Sequence, residues 1–314
     1  MHSAPVAARF RIGTDENGLG ARLGPLVVTA VLAEVDERGE RLLGRKLPKA
    51  IAELIGDSKE RMSHADVALG EAWARALHPG ATGPNALFEE LSLEGQSRLR
   101  APCPSHVESQ CWAFESEAFV ADAELVSSAS RVLGQLERRG VKLISAKSSV
   151  ICTERLNVAK DAGKNRFHCD LHAMEELVLA HRERAGADVF AVCGKVGGMG
   201  DYSRFFGPLA GYLHVVLEQE RARSAYRFPG VGELHFVQDA DAHDPLVMLA
   251  SLLGKWVREL LMARVSRWYG LGREAAPSGY HDPVTTRFVE ETALLRKRRR
   301  VPDTCFERAR TCDD

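Results

Sequence analysis

The chain has 314 residues, 45% hydrophobic and 27% charged, with a formal net charge of -1 and a pI near 6.8. That is enough apolar material to bury a full core. Near neutrality excludes a global field for nucleic acid or membrane, so an anionic partner would have to be met by a local patch.

No apolar run approaches the ~20 residues needed to span a bilayer, and the opening MHSAPVAARFRIG lacks the apolar stretch of a secretory signal. Cysteines at 103, 111, 152, 169, 193, 305 and 312 are odd in number and form no CxxC pair. They read as reduced thiols, so a cytoplasmic location is expected.

In chain order, residues 8–15 alternate as a strand, and PLVVTAVLAEV (25–35) is β-branched and nearly continuous, a second buried strand. A turn at DERGE precedes a third strand expected at 41–47, and a helix is expected over 62–77. Residues 78–106 are rich in Pro, Gly and polar groups and read as irregular. Helical character returns at 115–139, followed by a short strand at 141–147, helices at 149–160 and 168–185, and a strand at 187–194. Further strands fall between 212 and 240, a long helix runs from Pro245 to Tyr269, and a last helix covers 283–297. The expected organisation is one domain over 1–314, with an irregular insertion at 79–115 and a basic helical extension at 270–314. Strands followed by alternating helices and strands give an α/β fold: a mixed sheet covered by helices.

In such sheets the functional side chains gather at strand ends. Three strand ends carry candidates: Asp15 with Glu16, Cys193 with Gly194, and Asp239 with Asp241. Adjacent acids such as Asp15 and Glu16 are ordinarily solvated at a turn. Alternatively, with Asp241, they hold a hard divalent cation such as Mg²⁺ or Mn²⁺.

GTDENGLGARLGPLVV (13–28) resembles the opening motif of type 2 ribonuclease H, matching at Asp15, Glu16, Gly18, Gly20, Gly24, Pro25, Val27 and Val28. GDSKERMS (56–63) is similar to that family's next motif. DADAHDPLVMLASLLGKWVRELLM resembles its later acidic block, with Asp241 on the last catalytic Asp, and PSGYHDPVTTRFVEE carries Tyr280 on the family's tyrosine. The four segments occur in the family's order, while the middle, about 79–185, is longer and matches loosely.

The resemblance implies a ribonuclease H-like fold, three antiparallel strands joined to parallel ones. It also implies a metal-dependent endonuclease acting on RNA–DNA hybrids or on ribonucleotides embedded in DNA. Asp15, Glu16 and Asp241 would be catalytic and hold Mg²⁺ or Mn²⁺. Gly18, Leu19 and Gly20 would read the ribose, Ser58 and Lys59 would reach the phosphate, and Tyr280 would stack on the substrate. No membrane partner is implied, and a monomer is expected.

Two departures stand out. The arginine between the family's two glycines is Leu19 here, with Arg22 as the nearest replacement. The family's third acid, at the end of its fourth core strand, falls on Cys193 or Gly194, neither a hard anionic ligand; Asp201 is the nearest substitute in sequence. Three readings stay open: an impaired nuclease, a non-catalytic nucleic-acid-binding descendant, and a nuclease of the same fold with another substrate.

The run Arg296 to Arg300 is the only strong basic cluster, either a solvated face or a grip on phosphates. His168 and His172 stand one helical turn apart, and Cys103, His106 and Cys111 lie close in sequence, but neither stretch completes a four-ligand zinc pattern.

Overall fold

The computed structural model describes residues 9–56, 61–64, 66–106, 110–196, 199–271 and 276–309. Seven strands form one sheet: β1 (Phe10–Asn17), β2 (Leu26–Val35), β3 (Val141–Ile151), β4 (Val189–Gly194), β5 (Val215–Gln219), β6 (Arg223–Phe228) and β7 (Gly232–Val237). Their order is β3-β2-β1-β4-β7-β6-β5. β2 runs antiparallel to both of its neighbours, β1 and β3; β4 and β7 run parallel to β1; β6 is antiparallel to β7, and β5 to β6. This is the α/β mixed sheet expected from the sequence.

The helices are α1 (Glu37–Leu43), α2 (Lys49–Ala52), α3 (Ala68–Leu77), α4 (Pro84–Leu91), α5 (Gln96–Arg100), α6 (Ala123–Arg138), α7 (Thr153–Asp161), α8 (Arg166–Ala185), α9 (Ala240–His243), α10 (Pro245–Trp268), α11 (Pro283–Glu291), α12 (Ala293–Arg299) and α13 (Asp303–Phe306).

β2 shows why its sequence is apolar almost throughout. Val27, Val31, Ala33 and Val35 pack on one side with Trp256 and Val257 of α10, Trp73 of α3 and Val132 of α6. Leu26, Val28, Ala30 and Leu32 pack on the other with Leu171, Met174, Leu177 and Val178 of α8. Both faces of this strand are covered, so neither parity can be polar. Where β2 does carry a hydroxyl, Thr29, it bonds across to Ser148 of β3 at 2.8 Å.

Three expectations need correction. Residues 37–43 form helix α1 rather than part of a third strand at 41–47. Asp36 caps them by accepting the backbone N–H groups of Arg38 and Gly39, and Glu37 and Glu40 lie in the first turn. The stretch 78–106 contains helices α4 and α5, and α4 opens with Pro84 in its first turn. The last helix is two: α11 ends at Glu291 and α12 begins at Ala293, with Thr292 between. Ser58 and Lys59 lie outside the described residues.

α10 crosses directly over the start of the sheet. Asp244 caps it, accepting from Leu246 and Val247 N–H at 2.8 and 3.1 Å. A Cβ on Gly13 would sit 2.3 Å from the Leu246 carbonyl carbon and 2.4 Å from the Val247 nitrogen. Only a residue without a side chain allows this crossing. Among the described residues no helix is long and apolar enough to cross a membrane.

Gly13→Ala is therefore expected to destabilise the protein by roughly 1–3 kcal/mol or more, since the clash is with backbone that cannot rotate away. Denaturant unfolding measures this, and an unchanged midpoint would mean that α10 can lift off β1 at little cost.

Candidate active site

Parallel pairing aligns the ends of β1, β4 and β7 at one edge of the sheet. There an open cleft with about 550 Å³ of free space is lined by Asp15, Glu16, Gly18, Leu19, Gly20, Gly194, Asp239, Asp241 and Tyr280. The space far exceeds the needs of a bare ion. Cationic side chains line the same cleft: Lys195 after β4, Lys255 and Arg258 on α10, and His64.

Strand alternation sends Asp15 and Glu16 to opposite faces. Asp15 shares parity with Gly13 and so with α10, whereas Glu16 shares parity with Phe10 and Ile12, which pack on α8. Both carboxylates nonetheless bracket the end of β4. A Cβ added to Gly194 would lie 3.2 Å from Asp15 Oδ1 and 3.4 Å from Glu16 Oε2. The preceding residue, Cys193, is buried in the α8 face of the core, and burial pushes its thiol up to about 12. Of the two strand-end positions, only 194 looks into the cleft.

Asp241 enters from α9, just beyond β7. Because β4 lies between β1 and β7, and neighbouring strands are about 4.8 Å apart, the outer two backbones are roughly 10 Å apart. The middle strand would have to supply the bridging acid, and it ends in glycine. Among the described residues, accordingly, no three His, Cys, Asp or Glu side chains are gathered closely enough to hold a metal ion. The cleft has hard oxygen donors of the kind that suit Mg²⁺ or Mn²⁺, with Asp15, Glu16 and Asp241 all on its lining.

One acid escaped the sequence reading. Asp170 of α8 is fully buried, and neither of its carboxylate oxygens has a hydrogen-bond partner. Burial, then the charges of Glu16 and Asp15, hold its carboxyl well above the usual carboxylate range. It lies within HCDLH, where the histidines drew attention instead. His172 in fact meets the Phe205 carbonyl at 2.9 Å, and His168 meets Asn165 Oδ1 at 2.6 Å. The available signal was an acid at a position of α8 that the helical period turns toward the sheet.

The glycine loop is held from below by arginines. Gly18 has φ +87°, and a Cβ there would meet Arg258 Nε at 2.4 Å. Arg308, from the C-terminal segment, donates to the carbonyls of Gly18 at 2.6 Å, Leu19 at 3.2 Å and Gly24 at 2.9 Å. Arg258 also packs over the Tyr280 ring, 4.8 Å from its centroid. Lys195 Nζ donates to the Glu220 carbonyl at 2.8 Å and Ser224 Oγ at 2.9 Å, fixing its charge near the end of β4.

Several expected positions do not join this site. Arg22 donates to Glu307 at 2.7 Å and is not among the cleft residues, so it does not replace the missing loop arginine. Asp201 is engaged away from the cleft, accepting from the Ser203 N–H at 2.9 Å and hydroxyl at 2.6 Å and from Gln219 at 3.1 Å. Of the basic run, Arg296 is buried over Phe306 with its guanidinium carbon 3.9 Å from the ring centroid, and Arg299 sits 4.1 Å over Trp268. Arg296 is a packing residue, whereas Arg299 stays exposed despite its stacking, as do Lys297, Arg298 and Arg300.

No family model and no curated protein matches the sequence. Solved structures do. The crystal structure of Bst-RNase HIII in complex with Mn²⁺ is 13% identical with a TM-score of 0.46, over 98% of this chain and 69% of that one. RNase HII of Archaeoglobus fulgidus, in a complex with PCNA, is 18% identical with a TM-score of 0.42, over 97% and 99%. The ribonuclease H2 of Pyrococcus horikoshii is 17% identical with a TM-score of 0.40, over 95% and 92%. The likeness is to type 2 ribonucleases H. At these identities and TM-scores it assigns this chain neither an activity nor a substrate.

His64 supplies a pH-dependent charge at the cleft wall. Its Nδ1 lies 2.7 Å from Glu259 Oε2 and its Nε2 lies 2.6 Å from the Ala276 carbonyl, two acceptors that call for a proton on each nitrogen. The Glu259 hydrogen bond, opposed by burial, raises its pKa above the ordinary 6.5. The stabilisation from this charged pair is fully present below the unfolded histidine's pKa and is lost as pH rises through the higher folded value. Glu259→Gln is expected to bring the His64 titration, followed by imidazole NMR, back toward or below its ordinary position. An unmoved titration would show that Glu259 is not the cause.

Proposed function

We propose that this cleft binds RNA–DNA hybrid, or duplex containing embedded ribonucleotides, and cuts the ribonucleotide strand as an impaired, metal-dependent endonuclease. The observation that carries the proposal is the convergence of Asp15 and Glu16 on position 194, at the aligned ends of β1 and β4. Asp15 and Glu16 would hold Mg²⁺ or Mn²⁺, with Asp241 contributing from α9. A divalent cation there supplies an activated water and offsets charge on the leaving oxygen.

The chain's own residues supply recognition. Gly18 and Gly20 line the cleft without side chains, so a sugar can approach the backbone closely enough for the 2′-hydroxyl to be read by peptide groups. Lys195 and Lys255 place positive charge where backbone phosphates would run, while Arg258, buried and paired with Glu259 at 2.7 Å, supports the loop from below. Tyr280, 42% exposed, offers a ring face for stacking on a sugar or base.

A second reading, a nucleic-acid-binding protein without catalysis, is favoured by one specific feature: the glycine where the middle strand would contribute its acid.

A duplex carrying a single ribonucleotide separates the two. With Mg²⁺ and then Mn²⁺, the natural protein is expected to cleave slowly at that nucleotide, and Asp15→Asn is expected to abolish cleavage while retaining duplex binding. Cleavage no greater than that of Asp15→Asn, with binding intact, would establish the non-catalytic reading. Gly194→Asp is expected to raise cleavage at limiting metal by roughly tenfold or more, whereas Cys193→Asp, which buries its carboxyl in the core, is expected to destabilise the fold instead. No gain from Gly194→Asp would show that the missing acid is not what limits the site.

A further inference from the structure

Across α9 from the cleft lies a second open groove, with about 700 Å³ of free space. Its walls are the segment between α1 and α2, the residues just after α2, and the junction of α9 with α10. Leu47 and Met248 are half-buried against the core and form its apolar floor, while Arg45, Lys46 and His243 are exposed at its rim. Among the described residues that line it, none is acidic, in contrast to the cleft.

The two concavities are neighbours along one helix face. α9 is the partition: Asp239, Ala240 and Asp241 line the cleft, Ala242 and His243 the groove. α10 runs past both, with Met248 in the groove and Ser251, Lys255 and Arg258 in the cleft. Steps of three and four residues keep these positions on one stripe of the helix. At 1.5 Å of rise per residue, Met248 and Lys255 are about 10 Å apart along the axis.

The acids nearby are already engaged. Glu40 meets Arg11 at 2.7 Å, Asp244 caps α10 and meets Arg11 at 3.7 Å, Glu37 faces Arg41 at 4.0 Å and Glu53 faces Lys49 at 3.9 Å. Arg45 and Lys46 form no ion pair among the described residues. The C-terminal end of α1 favours a cation just beyond it. That accounts for one of them, and not for two cations and a histidine edging a groove without acids.

We propose that this groove binds the sugar–phosphate backbone of the duplex that occupies the cleft, about three base pairs from the reacting nucleotide, with Arg45, Lys46 and His243 meeting its phosphates.

This placement rests on the reading of the cleft as a nucleic-acid site, and it adds a second point of contact to it. A duplex strand advances about 3.4 Å per base pair, so about 10 Å along α10 corresponds to about three steps. Arginine and lysine stems can lie along the apolar floor while their charged heads reach phosphate oxygens. His243 has a ring N–H to donate in either tautomer. Contacts of this kind fix position and register without reading bases. The groove therefore lengthens the footprint and does not select sequence.

The test measures binding by fluorescence anisotropy, in the Asp15→Asn background so that no strand is cut. The probe is a labelled DNA duplex with one central ribonucleotide. Replacing both cations, Arg45→Ser with Lys46→Ser, is expected to weaken binding about tenfold and to reduce the slope of log affinity against log salt by about 2. Arg131→Ser, an exposed cation on α6, is expected to change neither. Both groove cations are exposed, so the double variant is expected to keep its unfolding midpoint. Trimming the duplex to about two base pairs on one side of the ribonucleotide is expected to abolish the difference between the double variant and its parent, whereas trimming the other side is expected to preserve it. Unchanged affinity and salt slope in the double variant, with the parent still binding, would overturn the groove assignment alone. Failure of the parent and of the natural protein to bind the duplex would overturn the reading of the cleft as well. Capture of an oligoglutamate peptide by the parent, lost in the double variant while duplex binding is unchanged, would reassign the groove to an acidic protein segment.

Discussion

Parallel pairing of β1, β4 and β7 constrains everything else in this molecule. It aligns three strand ends at one edge of the sheet and thereby decides which residues, remote in sequence, share a cleft. It also sets their spacing, because a strand cannot approach its second neighbour more closely than two ladder widths. Asp15 and Glu16 at the end of β1 and Asp241 beyond β7 flank β4, whose own end position in the cleft is Gly194. The missing carboxylate thus matters through sheet geometry as much as through its own charge.

The same geometry explains the company these acids keep. Negative groups at a strand end are costly unless solvated or faced by positive charge. Here the cleft carries Lys195, Lys255 and Arg258 on its walls, while Arg308 lies under the loop. Asp170 is the exception. It is enclosed behind Glu16 with no partner for either oxygen, and burial holds it toward its neutral form.

The long middle of the chain and its C-terminal extension converge behind the site rather than forming separate lobes. Glu117, which follows the insertion, forms a buried ion pair with Arg264 of α10, with contacts of 2.8 and 2.9 Å. The C-terminal segment pairs Glu307 with Leu23 and threads Arg308 beneath the loop. Cys103, Cys111, Cys152 and Cys305 meet where these segments adjoin. The glycine loop, with few side chains of its own to anchor it, takes its shape from residues at the opposite end of the chain.

Local pattern alone indicated the strands at 8–15 and 25–35, which the structure places at 10–17 and 26–35, the long helix after Pro245 and the glycine loop. Each depends on apolar period or on residue types that act within a few positions. The candidacy of Asp15, Glu16 and Asp241 was equally legible, from motif and order. Local pattern misread 37–43, where capping by Asp36 outweighed weak strand propensity, and 84–100, where turn-formers flank short helices. Only the tertiary structure could decide that Gly194 rather than Cys193 faces the cleft, that Arg22, Asp201, Arg296 and Arg299 are engaged elsewhere, and that four scattered cysteines share one cavity. Those are questions of which face a strand presents and which distant segments meet, and spacing along a chain does not encode distance across a fold.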